Sequence, residues 1–274
     1  MMNKYKHSSK AKNSKKKNKK TGNLESQKLN ADWIYGFHPV LAALDNFKRN
    51  CLRIIISNTI SKGLERDIEN ACRKITGMPN REKMNREQIS SLLPLGAVHQ
   101  GIALLTSPLN NISIEDIIRE TEGKAEATLI VLDQATDPRN VGAVMRSAAA
   151  FGASAVILQD RHAPQLSGAL CKAASGAVER VSLIRVVNLA RAISNLKNAG
   201  FWAVGLDASA KRTIAQADLS GRTILVLGAE GAGLRRLTRD TCDETLKVPI
   251  KKNADSLNLS NAAAVALYEI ERKR

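Results

Sequence analysis

Short apolar runs alternate with amphipathic stretches along most of the chain, and their spacing predicts an α/β protein. Leu52–Ser57, Gly101–Thr106, Thr128–Leu132, Ser154–Leu158, Val181–Val187, Trp202–Leu206, Thr223–Leu227 and Leu246–Ile250 read as strands. They are short, rich in β-branched residues and bounded by polar or turn residues. Helices are predicted from His38 with Pro39 in the first turn, over Lys62–Ile75, over Val141–Phe151, from about Ser167 to Val178, and after Asn258. From Ala127 onward near-continuous apolar strands alternate with helices, which indicates a parallel sheet covered on both faces. The stretch 108–126, with Pro108, Asn110 and Asn111, holds one short helix and many polar residues. We read it as a linker between units at 31–107 and 127–274. No internal repeat is visible.

Composition narrows the function. The 274 residues carry 42 Lys+Arg against 26 Asp+Glu, a formal charge of +16. Residues 1–30 hold ten Lys and one acid, Glu25, so they supply +9 of it. A stretch such as Lys10–Lys20 cannot bury a core and is predicted to be a disordered basic arm, a natural anchor for RNA or DNA phosphates. With aromatics at 3%, a stacking platform for single strands is disfavoured. No apolar run approaches the roughly 20 residues of a membrane span, and no signal core is present. Cys51, Cys72, Cys171 and Cys242 lie far apart, so neither a disulfide framework nor a zinc site is expected. A reduced, soluble, cytoplasmic protein is the expectation.

Three stretches of the second half could carry chemistry. In Asp137-Pro-Arg-Asn-Val-Gly-Ala-Val-Met-Arg-Ser147, Asn140 is suited to cap the following helix. Val141, Val144, Met145 and Ala148 make its buried stripe, and Arg146 falls off that stripe among the small residues Gly142 and Ala149. On composition alone, a cap and a surface Arg are the simpler account. Leu225-Val-Leu-Gly-Ala-Glu-Gly-Ala-Gly-Leu234 reads G-x-x-G-x-G, neither the dinucleotide nor the P-loop pattern. Its Glu230 could simply be an acid at a helix start. Val248-Pro-Ile-Lys-Lys-Asn-Ala-Asp-Ser-Leu-Asn-Leu-Ser260 leads into a periodic helix, where Ser256 or Asn258 could cap.

Taken in order, D-P-x-N-x-G-x-x-x-R, L-G-x-E-G-x-G and P followed by S-L-N-x-S resemble the three motifs of the SpoU/TrmH family of RNA ribose 2′-O-methyltransferases, of the knotted SPOUT class. Upstream, Ile34–Leu41 and His99-Gln-Gly101 resemble the RNA-binding domain, similar to ribosomal-protein L30e, that precedes the catalytic domain in many members. The resemblance implies a C-terminal trefoil-knotted parallel-sheet domain, a smaller L30e-like α/β domain before it, and a homodimer whose sites draw on both chains. It implies an S-adenosylmethionine site at Gly228, Val248, Ile250 and Leu257, and a catalytic group of Asn140, Arg146, Glu230, Ser256 and Asn258. No metal is implied. Ile250 and Lys252 replace the family's usual Met and Gly. Arg235–Arg239 with Cys242–Glu244 brings the sequence nearest the subgroup that methylates a guanosine ribose of large-subunit rRNA.

The implied reaction is attack of a ribose 2′-oxygen on an activated methyl, so the protein must position two partners and help remove a proton. Arg146 could take that proton, or stay charged and stabilise the developing oxyanion. Two other readings stay open: a tRNA ribose methyltransferase, and a non-catalytic RNA-binding assembly protein of the same fold.

Overall fold

The computed structural model describes residues 32–73, 79–161, 163–251 and 256–274. The predicted basic arm at 1–30 lies outside the described residues, as does Lys252.

Two sheets carry the chain. The first has the order β1-β4-β2-β3, from β1 (Asp32–Tyr35), β2 (Cys51–Ser57), β3 (Asn80–Met84) and β4 (Ile102–Thr106). It is mixed: β1 and β2 run antiparallel to β4, and β3 runs parallel to β2. Helices α1 (Phe37–Asp45), α2 (Lys62–Cys72) and α3 (Arg86–Ser91) accompany it. Strand β3, Asn-Arg-Glu-Lys-Met, has no apolar periodicity and was not expected. It sits at a sheet edge, where charged side chains guard exposed backbone.

The second sheet has six strands, β5 (Ala127–Leu132), β6 (Ala155–Gln159), β7 (Ser182–Val186), β8 (Trp202–Leu206), β9 (Arg222–Leu227) and β10 (Glu244–Leu246), in the order β10-β8-β9-β5-β6-β7. All its pairings are parallel, as the apolar strands predicted. Both faces are covered. Leu129 and Val131 of β5 pack with Ile114 and Ile117 of α4 (Ile114–Thr121) and with α7 (Leu189–Asn198). Ile130 and Leu132, one residue out of phase, pack with α5 (Pro138–Ala150), α6 (Gly168–Ala174) and α9 (Leu259–Arg272). Helix α8 (Arg236–Thr241) follows the glycine-rich turn. The expected linker thus contains α4, whose apolar face is buried under the second sheet.

Two predicted elements change. The helix expected over 167–178 stops at Ala174, because Ser175 (φ 50°) and Gly176 (φ 88°) turn the backbone left-handed before a 3₁₀ turn at Ala177–Glu179. The strand expected over Leu246–Ile250 instead ends at Leu246. Lys247 pairs instead with the 212–214 segment, donating to the Arg212 carbonyl and accepting from the Ile214 N–H, each at 3.0 Å, and Pro249 has no N–H with which to resume a ladder.

The two units are docked. Added Cβ atoms at Gly168 and Gly176 would lie 2.4 Å from the Tyr35 ring and 2.5 Å from Ala42, so these glycines admit β1 and α1 against α6. Arg49 and Glu179 form an ion pair at 2.6 Å, each side chain 3% exposed. Asn46 donates to the same carboxylate at 2.7 Å, and Arg49 Nη1 donates to the Ser107 carbonyl at 3.1 Å. Lys172 of α6 reaches Gln100 Oε1 at 2.6 Å, and the Phe37 N–H donates to the same oxygen at 3.1 Å. The Tyr-Gly-Phe-His and His-Gln-Gly segments therefore meet the second unit here.

Candidate functional site

Three loops at the carboxyl ends of the second sheet's strands converge. The first leaves β5. Here the structure corrects the expected cap: Asp137 accepts from the Arg139 N–H at 2.9 Å, with Pro138 in the first turn, so α5 begins before Asn140. Freed from capping, Asn140 turns its amide outward and donates to Glu230 Oε1 at 2.9 Å.

The second loop leaves β9. Ala229 and Gly233 pair through N–H···O bonds of 3.1 and 2.9 Å, with Gly231 (φ 76°) and Gly233 (φ 68°) in the left-handed region. A Cβ on Gly228 would lie 2.1 Å from the Gly233 carbonyl carbon. The glycine order is thus what a closed hairpin-like turn with Glu230 at its tip requires. Glu230 does face a helix start, but that of α9. Its Oε1 accepts from the Leu259 N–H at 3.2 Å and from Asn258 Nδ2 at 2.7 Å.

The third loop is the approach to α9. Asn258 caps that helix, accepting from the Ser260 N–H at 2.9 Å, while its amide donates to Asn140 Oδ1 at 3.1 Å as well as to Glu230. Asn140, Glu230 and Asn258 therefore form one hydrogen-bonded cluster from three distant segments. Three donors on one oxygen hold the carboxylate in a fixed direction. Glu230 Oε2 has no hydrogen bond among the described residues.

Beside this cluster lies a cavity of about 320 Å³. Gly228, Val248, Ile250 and Leu257 all line it, together with Glu230 and Ser256. Ser256 is exposed and joins the wall, not the hydrogen-bonded cluster. Asp207, after β8, also faces the cavity and was missed in the sequence. Burial alone would raise its carboxyl, but hydrogen bonds from the Ser209 hydroxyl and N–H, and Arg239 at 2.8 Å, hold it below the usual carboxylate range. Its place directly after a predicted strand was the available signal.

Arg146 stands apart. It is exposed on α5 and, among the described residues, makes no hydrogen bond or ion pair. Six residues beyond Asn140, it lies roughly 9 Å further along the helix axis. The space expected beside it at Gly142 is filled: a Cβ there would lie 2.6 Å from Ala173 Cβ. That glycine serves α5–α6 packing. Among the described residues, no group of three or more His, Cys, Asp or Glu side chains could hold a metal ion, and no helix is long and apolar enough to cross a membrane.

The family profile of SpoU rRNA Methylase matches residues 127–268, and that of RNA 2′-O ribose methyltransferase substrate binding matches 33–112. The chain is 38% identical over 254 residues to the 23S rRNA (guanosine-2′-O-)-methyltransferase RlmB of Vibrio vulnificus, covering 90% of this chain and 98% of that one. It is 38% identical over 246 residues to an uncharacterized tRNA/rRNA methyltransferase of Synechocystis, covering 89% of this chain but only 63% of that longer protein. In three dimensions it resembles the SpoU methyltransferase AviRb of Streptomyces viridochromogenes in complex with AdoMet, with a TM-score of 0.75, 22% identity, and 94% and 93% of the two chains covered. At that identity the likeness shows the fold alone.

Proposed function

The chain belongs to the SpoU rRNA methylase family, and from that membership we propose that it transfers a methyl group from S-adenosylmethionine to a ribose 2′-hydroxyl of RNA, a guanosine of 23S rRNA in particular. The observation that carries this reading is the cavity beside Glu230, whose wall holds the four candidate cofactor residues. Its size is that of a small-ligand site. Leu206, Val248, Ile250 and Leu257 offer apolar contact for a flat base, while the carboxylates of Asp207 and Glu230 suit a cationic ligand. When bound, S-adenosylmethionine supplies a methyl already activated by a positive sulfur. The protein's part is positioning. Asn140, Asn258 and the Leu259 N–H hold Glu230 through Oε1, which leaves Oε2 to accept a ribose hydroxyl. Ser256 offers a hydroxyl to the ligand at the cavity wall, and Arg146 supplies positive charge to the RNA.

The domain division proposed is a basic arm at 1–30, an L30e-like RNA-binding unit at 31–107, a linker at 108–126 and a knotted methyltransferase unit at 127–274. The segment after β10 lines the cavity between the 206–208 and 228–233 loops, which supports a trefoil path. A homodimer is the assembly proposed, in a cytoplasmic setting. Arg146 is exposed on α5 and makes no bond to its own chain's cluster, which leaves it free to serve the site of a second copy. Val265 and Tyr268, exposed at 43% and 56% on α9, offer apolar surface for that contact.

The test is to map 2′-O-methyl groups in rRNA and tRNA from cells with and without the protein. Loss of one guanosine methyl in 23S rRNA is expected. Loss confined to tRNA would move the substrate, and no loss anywhere, with no cofactor binding by calorimetry, would leave an RNA-binding protein of the same fold. Sedimentation showing only a 29.7 kDa species at micromolar concentration would break the dimer.

A further inference from the structure

We propose that Asp133 and Arg235 are a positioning pair that holds Asn140 and Glu230 in register with each other. The inference rests on the reading that those two residues belong to the methyl-transfer site.

Asp133 follows the last residue of β5, and its side chain is fully buried, with 0% exposed. A buried carboxylate is costly unless it is paired and hydrogen-bonded. Asp133 is paired several times over by one residue. Its Oδ1 accepts from Arg235 Nε at 2.7 Å and lies 2.6 Å from Nη2 in an ion pair, and its Oδ2 accepts from the Arg235 backbone N–H at 3.1 Å. Nη2 also donates to Gln159 Oε1, at the end of β6, at 2.8 Å. The Asp133 N–H in turn donates to the Leu227 carbonyl at 2.8 Å, the last residue of β9.

The placement gives these bonds their meaning. Asp133 opens the segment that leads through Asp137 to Asn140. Arg235 closes the turn that starts at Gly228 and carries Glu230. One buried carboxylate thus joins the base of both arms, while at their tips half-buried Asn140 and exposed Glu230 meet through one direct bond and through the bridging Asn258 amide. The tip bonds orient the side chains, but they do not set where the backbone of each arm stands. Fixed bases do, and small displacements of positioned groups are expensive for catalysis. The Ala229–Gly233 bridge keeps the cavity-lining turn intact by itself. Loosening the pair therefore lets the turn swing as a unit, which disturbs Glu230 more than it disturbs the cavity wall. The planar guanidinium fork is required, because a Lys ammonium cannot meet Asp133 and Gln159 together.

The experiment uses the full chain in single-turnover methylation at saturating S-adenosylmethionine and RNA, with cofactor Kd by calorimetry and a thermal melt. Asp133→Asn should slow transfer at least about tenfold while cofactor Kd moves less than about threefold. In an Asn140→Ala background it should slow transfer by less than about twofold more, because residues that act through one another are not additive. Arg235→Lys should reproduce both results. Its side chain is 40% exposed, so the variant keeps the fold and decides the question if Asp133→Asn does not fold. Normal turnover in Arg235→Lys, or losses that multiply in the double variants, would overturn the positioning role while leaving the site intact. Normal turnover in Asn140→Ala would instead remove the site reading, and this inference with it.

Discussion

The Asn140–Glu230–Asn258 cluster and the Arg49–Glu179 pair are both polar assemblies drawn from distant parts of the chain, yet they lie in opposite surroundings. The first is open to solvent at the carboxyl ends of the strands. The second is 3% exposed on each side and sits near the amino end of β7, where the first unit docks. Burial is what separates their roles. Exposed amides and a carboxylate exchange protein for water at little cost, so their arrangement contributes little to folding and is free to serve a ligand. A buried pair is satisfied only while both partners are present, so its main consequence is that the units cannot separate cheaply.

The largest effect expected is on the buried side. Glu179→Ala leaves the Arg49 guanidinium buried without its carboxylate, and should cost about 3–5 kcal/mol of stability. Denaturant unfolding measures this. Methyl transfer per folded molecule should stay near normal, since the site lies a strand's length away, roughly 17 Å. An unchanged unfolding midpoint would mean that the two units are not docked in this way, and the contrast would lose one of its halves.

Arg146→Ala tests the exposed side. Stability should change by less than about 0.5 kcal/mol, as for most surface substitutions. Methyl transfer should fall by about two orders of magnitude, the usual loss on removing a transition-state stabiliser or an acid–base group. Full turnover in a well-folded variant would leave Arg146 an ordinary helix residue. The smallest effect sharpens the role: Arg146→Lys should recover most of the rate if charge alone matters. A rate close to that of the Ala variant would indicate fixed geometry or proton removal.

Much of this arrangement was legible along the chain. Apolar strands spaced by helices implied the parallel sheet, because burial on both faces leaves no room for polar alternation. Arg146 could be placed off the buried stripe of α5 from periodicity alone. The three motif segments could be found because turns and helix starts demand glycine, proline and short polar residues at defined offsets. Local chemistry decides such features, so local sequence reports them.

Contacts between distant segments were not legible, and they settled the rest. Asp137 and Asn140 are both good helix caps; only the observed start of α5 gives the cap to Asp137 and releases Asn140 toward Glu230. Those two residues are 90 positions apart, and Asn140 and Asn258 are 118 apart. Gly142 looked like open space beside Arg146 until Ala173 was found against it. Asp133 carried no signal along the chain, and Arg235 entered only through the Arg235–Arg239 resemblance, with no partner assigned. Each of these outcomes depends on which surfaces the sheet order brings together, and no pattern of apolar and polar positions within a single element carries that information.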